Sequence, residues 1–219
     1  MKHLSNAQID RLGDRLRRQV FSEDDLRLLD EYRRSFGLAY DIVVERIQQV
    51  KDLSISGRPA KSTTSVVEKL NRESIRLSQM QDIAGCRTVV PDLRDQDAAV
   101  DTISAAFNSV TVIDRRLKPS HGYRAVHLVV REAGKAIEVQ VRTANQQLWA
   151  EICEKYADTI DPALKYGGGP PIDRHELDVM SLIFARTDEL QVASGDEAGH
   201  IQEEIDRLFA EFMEIGSSK

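Results

Sequence analysis

Ile137-Glu138-Val139-Gln140-Val141-Arg142 alternates without a break. Ile137, Val139 and Val141 fall on one side, and Glu138, Gln140 and Arg142 on the other. A period of two is that of a half-buried strand. A carboxylate, an amide and a guanidinium in a row are costly on a sheet face unless they bind something. A plain solvated face would show the same pattern, so the neighbouring residues have to separate the two readings.

Upstream, Ala125 to Val130 reads as a second strand, and Ala133-Gly134 as a turn. Val126, Leu128 and Val130 must share a buried face with Ile137, Val139 and Val141. Paired positions must then sum to an odd number, such as 267. A two- or four-residue turn at Ala133-Gly134 delivers that register. It sets His127 opposite Gln140, with Glu138 diagonal to it. His127, Glu138, Gln140 and Arg142 would form one polar patch, which is harder to explain as a solvated face. Downstream, Thr143 and Gln146 form a capping box. The helix they open has Trp149, Ile152, Cys153 and Tyr156 as its inner stripe. Arg142 thus sits at a strand-to-helix junction, where ligands are commonly met in such sheets.

Further out, residues 6–50 read as helices. Ser22 precedes Glu23-Asp24-Asp25, acids suited to a helix start. Leu26, Leu28, Leu29 and Tyr32 then recur at helical spacing. Gly37 marks a break, and residues 40–50 resume with Ile42, Val43, Ile47 and Val50. Residues 53–57 suit a short strand. The loop from Arg58 to Ser65 is rich in hydroxyls and carries Arg58 and Lys61. The helix after it is expected over residues 65–78, with Lys69, Arg72 and Arg76 on one face. Such a stripe beside a hydroxyl-rich helix start suits a polyphosphate, or is a solvated face. Residues 86–90 read as a core strand, with Asp82 and Arg87 bracketing Gly85. A helix over residues 95–107 turns Ala98, Ala99, Ile103 and Phe107 inward, and residues 110–114 form another strand. This alternation favours an α+β fold, a mixed sheet of about five strands flanked by helices. Residues 115–123 form a loop carrying Lys118 and Tyr123. Tyr166-Gly167-Gly168-Gly169-Pro170-Pro171 reads as a flexible break, followed by helices over residues 173–192 and 197–215. The expected division is an N-terminal helical segment at 1–52 packed on a core at 53–166, with C-terminal helices at 172–216 offering a packing or oligomer surface.

The chain has 219 residues, 41% hydrophobic and 30% charged, with a net charge of −6. That is a soluble globular composition. The acidity argues against broad binding to DNA or anionic membrane, though a local basic pocket is compatible with it. No apolar run is long enough to cross a bilayer. Met1-Lys2-His3-Leu4-Ser5 lacks the apolar core of a signal peptide. The two cysteines, Cys86 and Cys153, fit no metal spacing or disulfide framework, which points to a reducing cytoplasm. The five histidines include no close pair, and there is no P-loop signature. Asp82 and Glu138 are the metal candidates, because phosphoryl transfer needs Mg²⁺ held by one or two carboxylates. Arg58, Lys61, Lys69, Arg72, Arg87, Lys118 and Arg142 would neutralise phosphate charge. Tyr123 offers a flat face to a purine, where stacking is worth about 1–3 kcal/mol per base. A rim aromatic packed on the sheet would look the same.

Four motifs in order carry a resemblance: Gly57-Arg58 to Lys61-Ser62 ahead of Ser65-Val66-Val67-Glu68-Lys69-Leu70, Asp82-Ile83-Ala84-Gly85-Cys86-Arg87, His121-Gly122-Tyr123-Arg124-Ala125-Val126-His127, and Ile137 to Thr143 followed by Trp149-Ala150-Glu151. Residues 55–166 resemble the synthetase domain of the RelA/SpoT family, of the small single-domain alarmone synthetase type and nucleotidyltransferase-like fold. The resemblance implies transfer of the β,γ-pyrophosphate of ATP to the 3′-hydroxyl of GDP or GTP, yielding AMP and ppGpp or pppGpp. By that likeness Arg58 and Arg87 sandwich adenine, and Lys61, Lys69 and Arg72 hold ATP phosphates. Asp82 binds Mg²⁺, and Glu138 completes the metal site or takes the 3′-hydroxyl proton. Tyr123 stacks on guanine, while Lys118, His127, Gln140 and Arg142 order the acceptor. The chain departs from the family pattern in three places. The interval from Arg58 to Lys61 is one residue longer, Cys153-Glu154-Lys155 replaces the usual acidic-basic pair, and Gln147 stands where relatives place an Asn that reads guanine. The last departure keeps two other acceptors open, the tRNA 3′ end and adenosine nucleotides. A nucleotide sensor without catalysis is the third reading.

Overall fold

The computed structural model describes residues 4–50 and 53–217. Residues 1–3, part of the opening read against a signal peptide, and residues 51–52 and 218–219 lie outside it. The described residues form eight helices and five strands. The strands make one mixed sheet in the order β1-β2-β5-β4-β3, from β1 (Ile55–Arg58), β2 (Ala84–Val90), β3 (Val110–Asp114), β4 (Val126–Glu132) and β5 (Lys135–Thr143). The chain packs as two compact units interleaved in sequence.

The first unit gathers Met1–Arg87, Ile103–Thr111 and Leu128–Gln140. Its helices begin with α1 (Asn6–Arg17) and α2 (Glu23–Arg34), whose Ser5 and Ser22 both form capping boxes. Arg15 forks onto Asp25, joining the two helices. Helix α3 (Gly37–Gln48) buries Ala39, Val43 and Ile47. Leu29 and Tyr32 are buried as expected, but Leu26 is exposed. It sits in the first turn of α2.

The next helix, α4 (Thr63–Arg72), starts at the Ser62 cap and is shorter than its pattern predicts. Glu73 turns extended, and a short 3₁₀ turn follows at Leu77–Gln79. Arg17 explains the stop. Its guanidinium donates to the carbonyls of Leu70 and Glu73 and, at 2.5 Å, of Ile75. Those are the carbonyls that a longer helix would have had to satisfy internally. Arg76 therefore leaves the stripe of Lys69 and Arg72.

At the tip of the hairpin, Ala133 and Gly134 both have positive φ, 45° and 74°. Strand β4 ends at Glu132 and β5 begins at Lys135, so the loop has two residues. Their sum is 267, the predicted register, which sets Val130 against Ile137 and Leu128 against Val139. All four are fully buried. Strand β4 departs from simple alternation, because Val129 is buried as well. Its first five residues are all buried, so β4 is covered on both faces.

The second unit gathers Thr88–Thr102, Val112–His127 and Val141–Lys219. It holds most of α5 (Leu93–Ala105), with α6 (Ala144–Thr159), α7 (Pro171–Val192) and α8 (Asp196–Ser217). Thr143 caps α6 with the Gln146 box, as read from sequence. Ala98 on α5 faces out rather than in, and Gln96 takes a fully buried place instead. Its amide donates to Val141 O and to Gln146 Oε1, both at 2.8 Å. The Gly-Pro-rich break is a built turn. A 3₁₀ segment, Pro162–Tyr166, closes on Gly167 at φ 75°. Trp149, Cys153, Leu164 and Leu177 pack into one apolar cluster between α6 and α7.

Candidate functional site

The residues singled out from sequence fall into two clusters, one in each unit. In the first, Asp82 is the centre. Lys61 Nζ lies 2.7 Å from its Oδ2, and Lys69 Nζ lies 3.0 Å from its Oδ1. The loop carrying Lys61 is pinned by its own N–H to Ile83 O at 2.7 Å. Lys69 arrives on α4, about two turns from the Ser62 cap. Burial pushes the Asp82 carboxyl up, but the two ammonium groups outweigh it and hold the carboxyl below its ordinary range. Asp82 is thus an ionised carboxylate in a mostly buried place. Arg58 reaches its carbonyl at 3.4 Å.

Glu138 enters the same unit from β5. Gly85 lies against it so closely that an added Cβ would stand 2.7 Å from Glu138 O and 3.4 Å from Glu138 Cβ. This brings Glu138 beside the opening of β2, the strand that Asp82 leads into. Gln140 Nε2 donates to Glu138 Oε2 at 2.8 Å. Burial, together with the Glu138 charge, pushes the Cys86 thiol up to about 12. That thiol is inert near neutrality. Arg72 is turned aside to Glu73 at 3.1 Å, and Arg87 lies half-buried on β2.

In the second unit, Tyr123, His127, Arg142 and Gln147 form one hydrogen-bonded group. The Tyr123 hydroxyl is 2.8 Å from His127 Nε2 and accepts from Arg142 Nη2 at 2.9 Å. The Arg142 guanidinium also stands over the Tyr123 ring, 5.1 Å from its centroid. Arg142 Nη1 donates to Gln147 Oε1 at 2.9 Å, and Gln147 Nε2 donates to Glu151 Oε1 at 2.5 Å. The Gln147 amide is therefore oriented from both ends. Tyr123 has Trp149 on another side, at 6.3 Å between centroids. Lys118 is exposed on the loop before it. Sequence reading missed Glu151 as the partner of Gln147, although a spacing of four on a helix permits it.

Residues 57–157 match the region found in RelA/SpoT proteins. That stretch, a little under half of the chain, is a RelA/SpoT region. An uncharacterised protein of Mycobacterium tuberculosis is 32% identical over 169 residues, 73% of this chain. The matched stretch spans 59% of that relative's own length. A probable chloroplastic GTP diphosphokinase of Oryza sativa is 31% identical over 68% of this chain and 20% of its own. Among solved structures, small alarmone synthetase 1 of Bacillus subtilis, bound to its product pppGpp, superposes with a TM-score of 0.56 at 26% identity. That match covers 84% of this chain and 99% of the other. The chain has the predicted five-stranded mixed sheet flanked by helices. No described helix is long and apolar enough to cross a membrane.

Proposed function

We propose that this chain is a pyrophosphokinase acting on ATP and on GDP or GTP. The 3′-oxygen of the acceptor attacks the β-phosphorus of ATP. The bond from that phosphorus to the α,β-bridging oxygen breaks, and AMP leaves with that oxygen. Glu138 accepts the 3′-hydroxyl proton. The observation that carries this reading is the buried, ionised Asp82 with Lys61 and Lys69 upon it. Lysines so placed are ready to exchange a carboxylate for nucleotide phosphates. Arg58, Arg72 and Arg87 complete the ATP side. Tyr123, Lys118, Gln140, Arg142 and Gln147 take the acceptor, with His127 holding the Tyr123 hydroxyl.

Asp82 and Glu138 fit Mg²⁺, being hard oxygen donors of the kind it prefers. Two carboxylates suffice when phosphates and waters complete the shell. When bound, the ion supplies charge neutralisation on the polyphosphate. The exposed Phe209 and Met213 on α8 support self-association through the C-terminal helices. A monomeric mass by light scattering counts against that.

The deciding assay offers labelled ATP with GDP, GTP, unlabelled ATP and tRNA as competing acceptors. The expected products are AMP and a guanosine nucleotide gaining two phosphates. Replacing Glu138→Gln should lower turnover about a hundredfold. No product, or a Glu138→Gln variant equal to wild type, defeats the reading. Gln147 already commits its Nε2 to Glu151, which favours a second reading in which the acceptor base differs. Product on ATP or on tRNA would establish it. Tight nucleotide binding without turnover would point to a sensor.

A further inference from the structure

Helix α7 lies beyond the matched family region, yet three of its positions reach back to the segments that carry Tyr123, Arg142 and Gln147. Leu177, Ser181 and Asp188 are spaced by four and seven residues, which puts them on one face of the helix. Leu177 O accepts from Trp149 Nε1 at 3.2 Å. Ser181 Oγ donates to Gly122 O at 2.6 Å. Arg124 binds Gly122 O and Ser181 O, each at 3.2 Å, and Ser181 Oγ as well. Asp188 accepts twice, from Thr143 Oγ1 at 2.7 Å and from Asn145 Nδ2 at 3.0 Å. Ser181 and Asp188 are 3% and 2% exposed.

Each contact lands next to a residue of the proposed acceptor group. Gly122 precedes Tyr123; its lack of a Cβ allows the close approach, and its φ of +81° also favours glycine. A Cβ there would stand 2.8 Å from the Trp149 ring and 3.1 Å from Ser181 Cβ. Thr143 follows Arg142 and caps the helix that bears Gln147. A burial this complete needs no carboxylate for packing. Its two oxygens match two donors, so the pairing is directional.

We infer that Ser181 and Asp188 are positioning residues for acceptor-nucleotide binding, with α7 acting as the splint that sets Tyr123 and Arg142. The inference rests on the pyrophosphokinase reading. The acceptor is a guanosine diphosphate or triphosphate, stacked on Tyr123 with its phosphates met by Arg142.

The test uses the chemistry of the Asp188 pair. In Asp188→Asn, one amide oxygen replaces two carboxylate oxygens, so the Thr143 and Asn145 donors compete for a single acceptor and one of the two bonds is lost. The double variant Asp188→Asn/Asn145→Asp restores a donor facing an acceptor. GDP and a non-hydrolysable ATP analogue are titrated separately, following the emission of Trp149, the one tryptophan in the sequence. Its ring stands beside Tyr123. Thermal melts of each variant accompany the titrations. Asp188→Asn should weaken GDP about tenfold and leave the ATP analogue unchanged. The double variant should return GDP to within about threefold of wild type. Ser181→Ala should show the same GDP-selective loss. Equal loss of both ligands, no loss of GDP, or a double variant no better than the single one overturns the positioning role. If wild-type protein binds the ATP analogue but not GDP, the acceptor reading itself has failed, and the inference falls with it.

Discussion

At the scale of the residue, Gly85 of β2 lies tight against Glu138 of β5, and its lack of a side chain has a direct consequence for Glu138. Gly85→Ala would place a Cβ 2.7 Å from a backbone oxygen, which cannot rotate away. β5 must shift from β2, carrying Glu138 with it. The expected cost is about 1–3 kcal/mol in stability, read as a lower melting temperature. Turnover per folded molecule should fall as well. Full turnover in the folded fraction would mean that Glu138 tolerates the shift. Tyr123 gives a second case. If its ring were only a stacking platform, Tyr123→Phe would be neutral. Because the hydroxyl ties His127 to Arg142, the change should raise the acceptor KM about three- to tenfold. Steady-state kinetics with ATP saturating measures it, and an unchanged KM contradicts the bridge. The identities of these residues were legible in the sequence, because each lies in a short motif. Their partners were not. Lys61, Lys69 and Arg72 looked alike as cations, yet the lysines meet Asp82 while Arg72 pairs with Glu73. The lysines are told from Arg72 by a carboxylate thirteen or more residues further along the chain, and no local spacing encodes that contact.

At the scale of the element, caps and periods transferred well from sequence to structure, and ends did not. Ser22 and Thr143 begin helices where their patterns put them. Helix α4 stops early because an arginine from α1 takes its carbonyls, a partner over fifty residues away in the chain. Gln96 escaped notice because a polar residue on an inward face reads as a break in the stripe, and only its pairing with Gln146 justifies the burial. The junction of α1 and α2 yields a pH prediction. The Arg15 hydrogen bond, then the Ser22 backbone N–H, holds the Asp25 carboxyl below its ordinary value of 3.8. Between the folded and ordinary values the unfolded chain binds more protons, so stability rises with pH there. The contribution is complete above 3.8 and is lost as pH falls through the lowered value. Asp25→Asn should cost about 0.2–1 kcal/mol near neutral pH, mostly through the weakened Arg15 pair, which is partly exposed, because the amide oxygen can still accept the Ser22 N–H. Melting curves of both proteins between pH 7 and pH 3 should converge at the acid end. A gap that stays constant would assign the loss to packing instead.

At the scale of the whole molecule, the sequence divides by chain order and the structure divides by packing. Segments at 1–52, 53–166 and 172–216 are natural from composition, while the two compact units each draw on several stretches. A sheet whose neighbours are β2 and β5 makes this unavoidable, because strands far apart in sequence share a core. The family region at 57–157 is therefore not expected to stand alone. The apolar cluster of Trp149, Cys153 and Leu164 is closed by Leu177 from α7, with Met180 and Phe184 against it. Cutting the chain after Gly169 would leave that surface in water. At about 25 cal/mol per Å² of apolar area, the loss is a large fraction of the stability of an ordinary domain. The truncated chain should show no cooperative transition in Trp149 emission on heating and should bind no GDP, while the full chain does both. A truncated protein that melts cooperatively within about 5 °C of the full chain would mean that α7 contributes little to the core. It would also remove the mechanical basis for Ser181 and Asp188, since a helix that the core does not need cannot be what holds Tyr123 and Arg142 in place.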